Sequence, residues 1–166
     1  MRTVSARADP PPPGRRWGLQ PVAASSNGES LVTLPGTLHH IEIYVAALEE
    51  SLLFWHPFLL KLGYVEFQKW DRGSSYLLAG SYLVFVQTDE EHVARGYHRK
   101  QVGLNHLAFH AASREQVDEV TDWVRVSGFK VLYEDRHPHA GGSGCYALYC
   151  EDPNRMKVEL VAPPEA

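Results

Sequence analysis

The sequence predicts an α+β protein built from two βαβββ modules, whose mixed sheets pair into a curved, cavity-forming half-barrel. Three observations carry this. A short apolar strand with histidine at its third position occurs twice, as Leu38-His39-His40-Ile41-Glu42-Ile43-Tyr44-Val45 and as Leu104-Asn105-His106-Leu107-Ala108-Phe109-His110-Ala111. A module-ending strand also occurs twice, as Leu83–Gln87 and Lys157–Val161. Between these markers, helix and strand signals follow the same order in both halves, and internal repetition of this kind constrains the topology of the whole chain.

In the first module, about residues 38–88, a helical stretch runs from about Leu48 to Leu62, with Pro57 expected to kink or shorten it and Gly63 to stop it. Strands are expected at Tyr64–Trp70, Ser74–Ala79 and Tyr82–Thr88, with turns at Asp71-Arg72-Gly73 and Gly80-Ser81. In the second module, about residues 104–161, Ser113 and Gln116 have the spacing of a capping box. Val117, Val120 and Val124 then form an apolar stripe, and Gly128 ends the helix. Strands are expected at Lys130–Glu134, Cys145–Cys150 and Met156–Val161. Asp89–Gly103 links the modules.

Residues 1–36 hold six of the 11 prolines and no hydrophobic periodicity, and read as a disordered tail ahead of one domain over 37–166. Arg15-Arg16-Trp17 is followed by a segment too polar for the apolar core of an export signal, so a cytoplasmic protein is expected. The net charge of −4 argues against nucleic-acid binding, which needs a basic face. No apolar run approaches the roughly 20 residues of a membrane-spanning helix. Two cysteines make no disulfide framework.

Nine histidines in 166 residues direct attention to metal binding or proton transfer. Strand alternation places His40, Glu42 and Tyr44 on one face, with Ile41, Ile43 and Val45 on the other. In the repeat, His106, Ala108 and His110 share a face. His39 falls on the apolar side, so His40 is preferred. Glu159 lies between Val158 and Leu160 in a largely apolar strand, where a carboxylate is costly to bury unless paired, protonated or metal-bound. His40, His106 and Glu159 form a two-His, one-carboxylate set of the kind that leaves coordination positions open. Glu42 and His110 lie two residues beyond the two histidines, as candidate proton carriers.

These motifs, with Gly103-Leu104-Asn105-His106-Leu107-Ala108-Phe109 and Glu151-Asp152-Pro153-Asn154-Arg155-Met156-Lys157-Val158-Glu159-Leu160, resemble the vicinal oxygen chelate superfamily over residues 38–161. That superfamily includes glyoxalase I, bleomycin-resistance proteins, fosfomycin-resistance transferases and extradiol dioxygenases. The resemblance implies a divalent metal (Mn, Fe, Co, Ni or Zn) held by His40, His106 and Glu159, a small-molecule substrate and a homodimer. A glyoxalase-type fourth ligand is missing, because Phe85 matches Glu159 in phase; Gln87 is the nearby substitute.

The function this implies is a metal-dependent isomerase or epimerase. Its substrate would be a small hydroxylated carbonyl compound, a sugar-like cyclitol or hydroxyketone, reacting through a metal-chelated enediolate, with Glu159, Glu42 and His110 as candidate bases. The alternatives are an Fe(II) extradiol-type dioxygenase and a drug-binding or fosfomycin-type resistance protein. Two further segments carry polar chemistry: Tyr97-His98-Arg99-Lys100 in the linker and the His- and Gly-rich stretch 136–144.

Overall fold

The computed structural model describes residues 35–165, so the expected tail lies almost wholly outside the described residues. The element order is β1 (His40–Val45), α1 (Leu48–Lys61), β2 (Val65–Trp70), β3 (Gly73–Leu78), β4 (Ser81–Gln87), α2 (Glu90–Val93), β5 (His106–His110), α3 (Arg114–Val126), β6 (Lys130–Val131), a 3-10 turn (Glu134–Arg136), β7 (Ala147–Glu151) and β8 (Lys157–Val161). The repeat is real. One sheet runs β1-β4-β3-β2 and the other β5-β8-β7-β6. Each is mixed, with one parallel pair (β1 with β4, β5 with β8) and antiparallel pairs elsewhere. No strand ladder among the described residues joins the two sheets.

Helix α1 passes through Pro57 without a break. Proline cannot donate to the carbonyl four residues back. That residue is Leu53, which is exposed, so water can serve its carbonyl. The buried side of α1 is Phe54, Trp55, Phe58 and Leu59, and each such burial stabilises the fold by about 1.5–3 kcal/mol. Helix α3 starts as its spacing predicts. Ser113 Oγ accepts from Gln116 N at 3.3 Å, and Gln116 Oε1 accepts from Ala112 N at 2.7 Å. The Gln116 amide also donates to Lys61 O at 3.0 Å, tying α3 to the end of α1.

The two modules share one core. Phe58 packs on Phe109 of β5 at 5.5 Å between ring centroids, and Phe54 packs on Trp123 and Phe129 at 5.8 and 5.1 Å. Trp55, on the same helix, lies 4.8 Å from Phe85 of the first sheet. Ile43, Val45, Leu107, Val158 and Leu160 belong to this core. Each sheet therefore turns its apolar face inward and its other face away from the shared core.

Some boundaries differ from expectation. Strand β6 is only two residues long, because Tyr133 adopts a left-handed backbone (φ 57°) that ends the extended run. Strand β7 begins at Ala147, since Cys145 N still donates to Gly142 O and belongs to the preceding loop. The β3–β4 hairpin turns on Ala79 and Gly80, both with positive φ, as a tight two-residue hairpin requires. Among the described residues no helix is long and apolar enough to cross a membrane.

Candidate metal and substrate site

The second sheet carries the densest chemistry. Register sets its polar face in rows across β5, β8 and β7. His106, Lys157 and Glu151 form one row, and Ala108, Glu159 and Tyr149 the next. Side chains on one face of a strand are two residues apart, so His106 and Glu159 meet diagonally. His106 Nε2 lies 3.0 Å from Glu159 Oε2, and Tyr149 donates its hydroxyl to Glu159 Oε1 at 2.7 Å. Burial, then the neighbouring Glu159 carboxylate, push the Tyr149 phenol far above its ordinary pKa, which keeps it a donor.

The tautomer of His106 follows from its neighbours. Asn105 Nδ2 donates to Arg99 O at 2.8 Å, and a carbonyl can only accept, so Asn105 Oδ1 faces His106 Nδ1 at 2.7 Å. Nδ1 therefore carries a hydrogen, and Nε2 of the neutral ring presents a lone pair toward a carboxylate oxygen 3.0 Å away. Two such acceptors repel unless a cation lies with them, either a proton on Nε2 or a metal ion. The Glu159 side chain is only 12% exposed, and no Lys or Arg among the described residues pairs with it. A separation of 3.0 Å also matches adjacent ligands on an ion with bonds of about 2.1 Å. His106 and Glu159 thus supply two adjacent donors of the types a divalent metal takes.

His40 is placed differently. Its ring stacks on Tyr82 (centroids 4.9 Å, planes 7° apart), and its Nδ1 lies 2.9 Å from His39 Nδ1. His40 and Glu42 share the polar face of the first sheet, across the core from His106 and Glu159. Among the described residues no three His, Cys, Asp or Glu side chains gather in a way that could hold a metal ion. One chain thus joins His106 with Glu159 and leaves His40 apart. His110, at the end of β5, is exposed in the row of Val161.

Register corrects the reading of the first module. His40 pairs with Tyr82 as His106 pairs with Lys157, so the residue corresponding to Glu159 is Val84, not Phe85. Phe85 faces the core and is fully buried. Ser75 stands where Tyr149 does in the second module, and Glu42 where Ala108 does. Gln87 is used structurally. Its Oε1 accepts from Leu48 N at 2.8 Å, and its Nε2 donates to Ala46 O at 2.7 Å, closing the corner between β1 and α1.

The Asp152–Arg155 turn, the most distinctive motif in the sequence, joins the modules. Asp152 Oδ2 accepts from Trp55 Nε1 at 2.9 Å and Oδ1 accepts from Met156 N at 2.7 Å. Asn154 Oδ1 accepts from Ala46 N, and Nδ2 donates to Ser51 Oγ, each at 2.8 Å. The stretch 136–144 is partly held by its own contacts: His139 Nδ1 bonds Cys145 O at 2.9 Å, and Arg136 lies over the Tyr133 ring. Sequence reasoning missed Tyr149, Lys157 and the role of Asn105. Tyr149 was within reach, because counting outward from the turn on both strands pairs it with Glu159.

Two mixed four-stranded sheets from a repeated module, with a His–Glu pair on the polar face of one, define a class of protein. Residues 37–160 match the Glyoxalase/Bleomycin resistance protein/Dioxygenase superfamily, and the chain belongs to it. It is 57% identical over 126 residues to YqjT, an uncharacterized protein of Bacillus subtilis, covering 76% of this chain and 98% of that one. The crystal structure of a glyoxalase-like protein from Bacillus halodurans is 58% identical, with a TM-score of 0.77 over 78% of this chain and 97% of its own. The fosfomycin resistance protein FosX of Listeria monocytogenes shares the fold at 23% identity and a TM-score of 0.55, over 78% and 95% of the two chains. A mutant of FosX was crystallised with Mn(II) and 1S,2S-dihydroxypropylphosphonic acid.

Proposed function

We propose that the chain is a divalent-metal-dependent isomerase or epimerase acting on a small hydroxylated carbonyl compound, with His40, His106 and Glu159 holding the ion. The observation that carries the reading is His106 Nε2 held 3.0 Å from Glu159 Oε2, with no Lys or Arg among the described residues paired to that carboxylate. When bound, the ion supplies Lewis acidity to a carbonyl and its neighbouring hydroxyl, which acidifies the C–H between them. Because one chain keeps His40 away from the other two, the complete site takes His40 from a second copy. A two-fold symmetric pair would then hold two equivalent sites.

The chain's own side chains move the proton. Glu159 is committed to the ion and to the Tyr149 hydroxyl, so Glu42, on the face of His40, is the base. It takes the proton from carbon, and the C–H electron pair passes toward the adjacent carbonyl oxygen. Return of that proton to the neighbouring carbon, with the hydroxyl proton passing to the former carbonyl oxygen, gives isomerisation; delivery to the same carbon, from the opposite side, of a second proton carried by His110, while Glu42 keeps the first, gives epimerisation. Asn105 fixes the His106 tautomer and Tyr149 fixes the Glu159 rotamer.

The test is metal content of protein purified without chelator, beside His106→Ala. Near-stoichiometric Mn, Co, Ni or Zn that is lost in the variant is the expected result. Iron accompanied by oxygen uptake with catechols would shift the reading to an extradiol-type dioxygenase. No bound metal, and no rise in melting temperature with any added divalent ion, would overturn the reading.

A further inference from the structure

Tyr97, His98, Arg99 and Lys100 of the linker face Arg155 of the β7–β8 turn across a cleft of about 210 Å³. Its charge is unbalanced. Arg99 is neutralised by the buried Glu151 carboxylate, and its guanidinium also reaches Arg155 O at 3.4 Å. Lys100 and Arg155 have no acidic partner among the described residues, in a chain whose net charge is −4. His98 Nδ1 accepts from Lys100 N at 3.2 Å, so its other ring nitrogen carries the hydrogen and is a donor. The cleft therefore combines two uncompensated cations with an N–H donor.

The walls are held firmly. The Tyr97 hydroxyl donates to Leu104 O at 2.7 Å, and Arg155, in a left-handed backbone (φ 65°), donates its N–H to Asp152 O at 2.9 Å. The cleft adjoins the His106–Glu159 pair. The Asn105 side chain bridges Arg99 O and His106 Nδ1. Glu151, the partner of Arg99, lies in the His106–Lys157–Glu151 row, two strands from His106, or about 10 Å.

We propose that this cleft is an anion subsite that takes a doubly charged phosphate or phosphonate group of the substrate, while the reacting carbon lies at His106 and Glu159. Two cations without acidic partners match two negative charges, and the His98 ring N–H is a further donor for an oxyanion. The inference narrows the substrate class of the function proposed above and rests on that reading for the position of the reacting carbon. Anion binding itself does not depend on the metal, so the two can fail separately.

The experiment titrates inorganic phosphate into metal-free full-length protein and follows backbone amide resonances. Saturable shifts at residues 97–100 and 155 are expected, with phosphate bound more tightly than acetate. The double substitution Lys100→Ala with Arg155→Gln should weaken phosphate binding by about tenfold or more. The charge-matched control Lys61→Ala with Lys69→Ala should leave it within about twofold. His106→Ala should retain binding, which separates this result from loss of the metal site. Absence of saturable shifts, equal weakening in the control, or acetate binding as tightly as phosphate would each overturn the proposal. Lys100 and Arg155 are exposed, and an unchanged melting temperature verifies that the variant is folded.

Discussion

His106 needs three neighbours to present its Nε2 lone pair: Asn105, the Arg99 carbonyl behind it, and Glu159 in front. Partners that orient a ligand typically change metal affinity by about 10- to 100-fold when removed. Tyr149→Phe keeps the ring that packs at 5.6 Å on Tyr133 and removes only the hydroxyl on Glu159. It should therefore weaken metal binding by about tenfold with little change in melting temperature; competition against a fluorescent chelator measures it. Unchanged affinity would make Tyr149 a packing residue only. At this scale, the polar-face positions of His40, His106 and Glu159 were legible, because strand alternation needs no knowledge of the fold. Val84 was not. Matching the two module-ending strands from sequence runs one residue out of step with the observed ladders, and a one-residue slip exchanges the two faces of a strand.

The β7–β8 turn was legible as a motif and illegible as a joint. The sequence does not say that Asp152 reaches Trp55, 97 residues earlier, because that contact depends on how the modules pack. Burial raises the Asp152 carboxyl above its usual pKa range, partly offset by bonds from Trp55, Met156 and Asn154. Asp152→Ala strands the Trp55 N–H and Met156 N–H, two buried donors at about 1–3 kcal/mol each. A loss of about 2–5 kcal/mol in a urea titration is expected; a loss below about 1 kcal/mol would mean water replaces the carboxylate. The helices were the most legible elements, since their apolar periodicity and the Ser113–Gln116 cap are local. Strands β6 and β7 were the least, because a left-handed Tyr133 and a loop that continues to Cys145 carry no strong local signal.

At the scale of the molecule, the repeat made the two sheets legible, but not which polar faces come together. Parity orients a side chain against its own helix and says nothing about the other module. If the site takes His40 from one copy and His106 with Glu159 from another, His40→Ala and His106→Ala complement each other. Random reassortment of the two inactive variants should restore about one quarter of the metal sites, since half the pairs are mixed and each mixed pair has one intact site. Recovery of none would place all three ligands in one chain. The shared core has a spectroscopic consequence. Trp55 is fully buried at the module junction, with its indole nitrogen bonded to Asp152 and its ring against Phe85. With Trp17, Trp70 and Trp123 replaced by phenylalanine, its emission becomes an optical gauge of module separation. A red shift that precedes loss of the far-ultraviolet dichroism would reveal two halves that part before they melt, whereas coincident signals would mark a single cooperative unit.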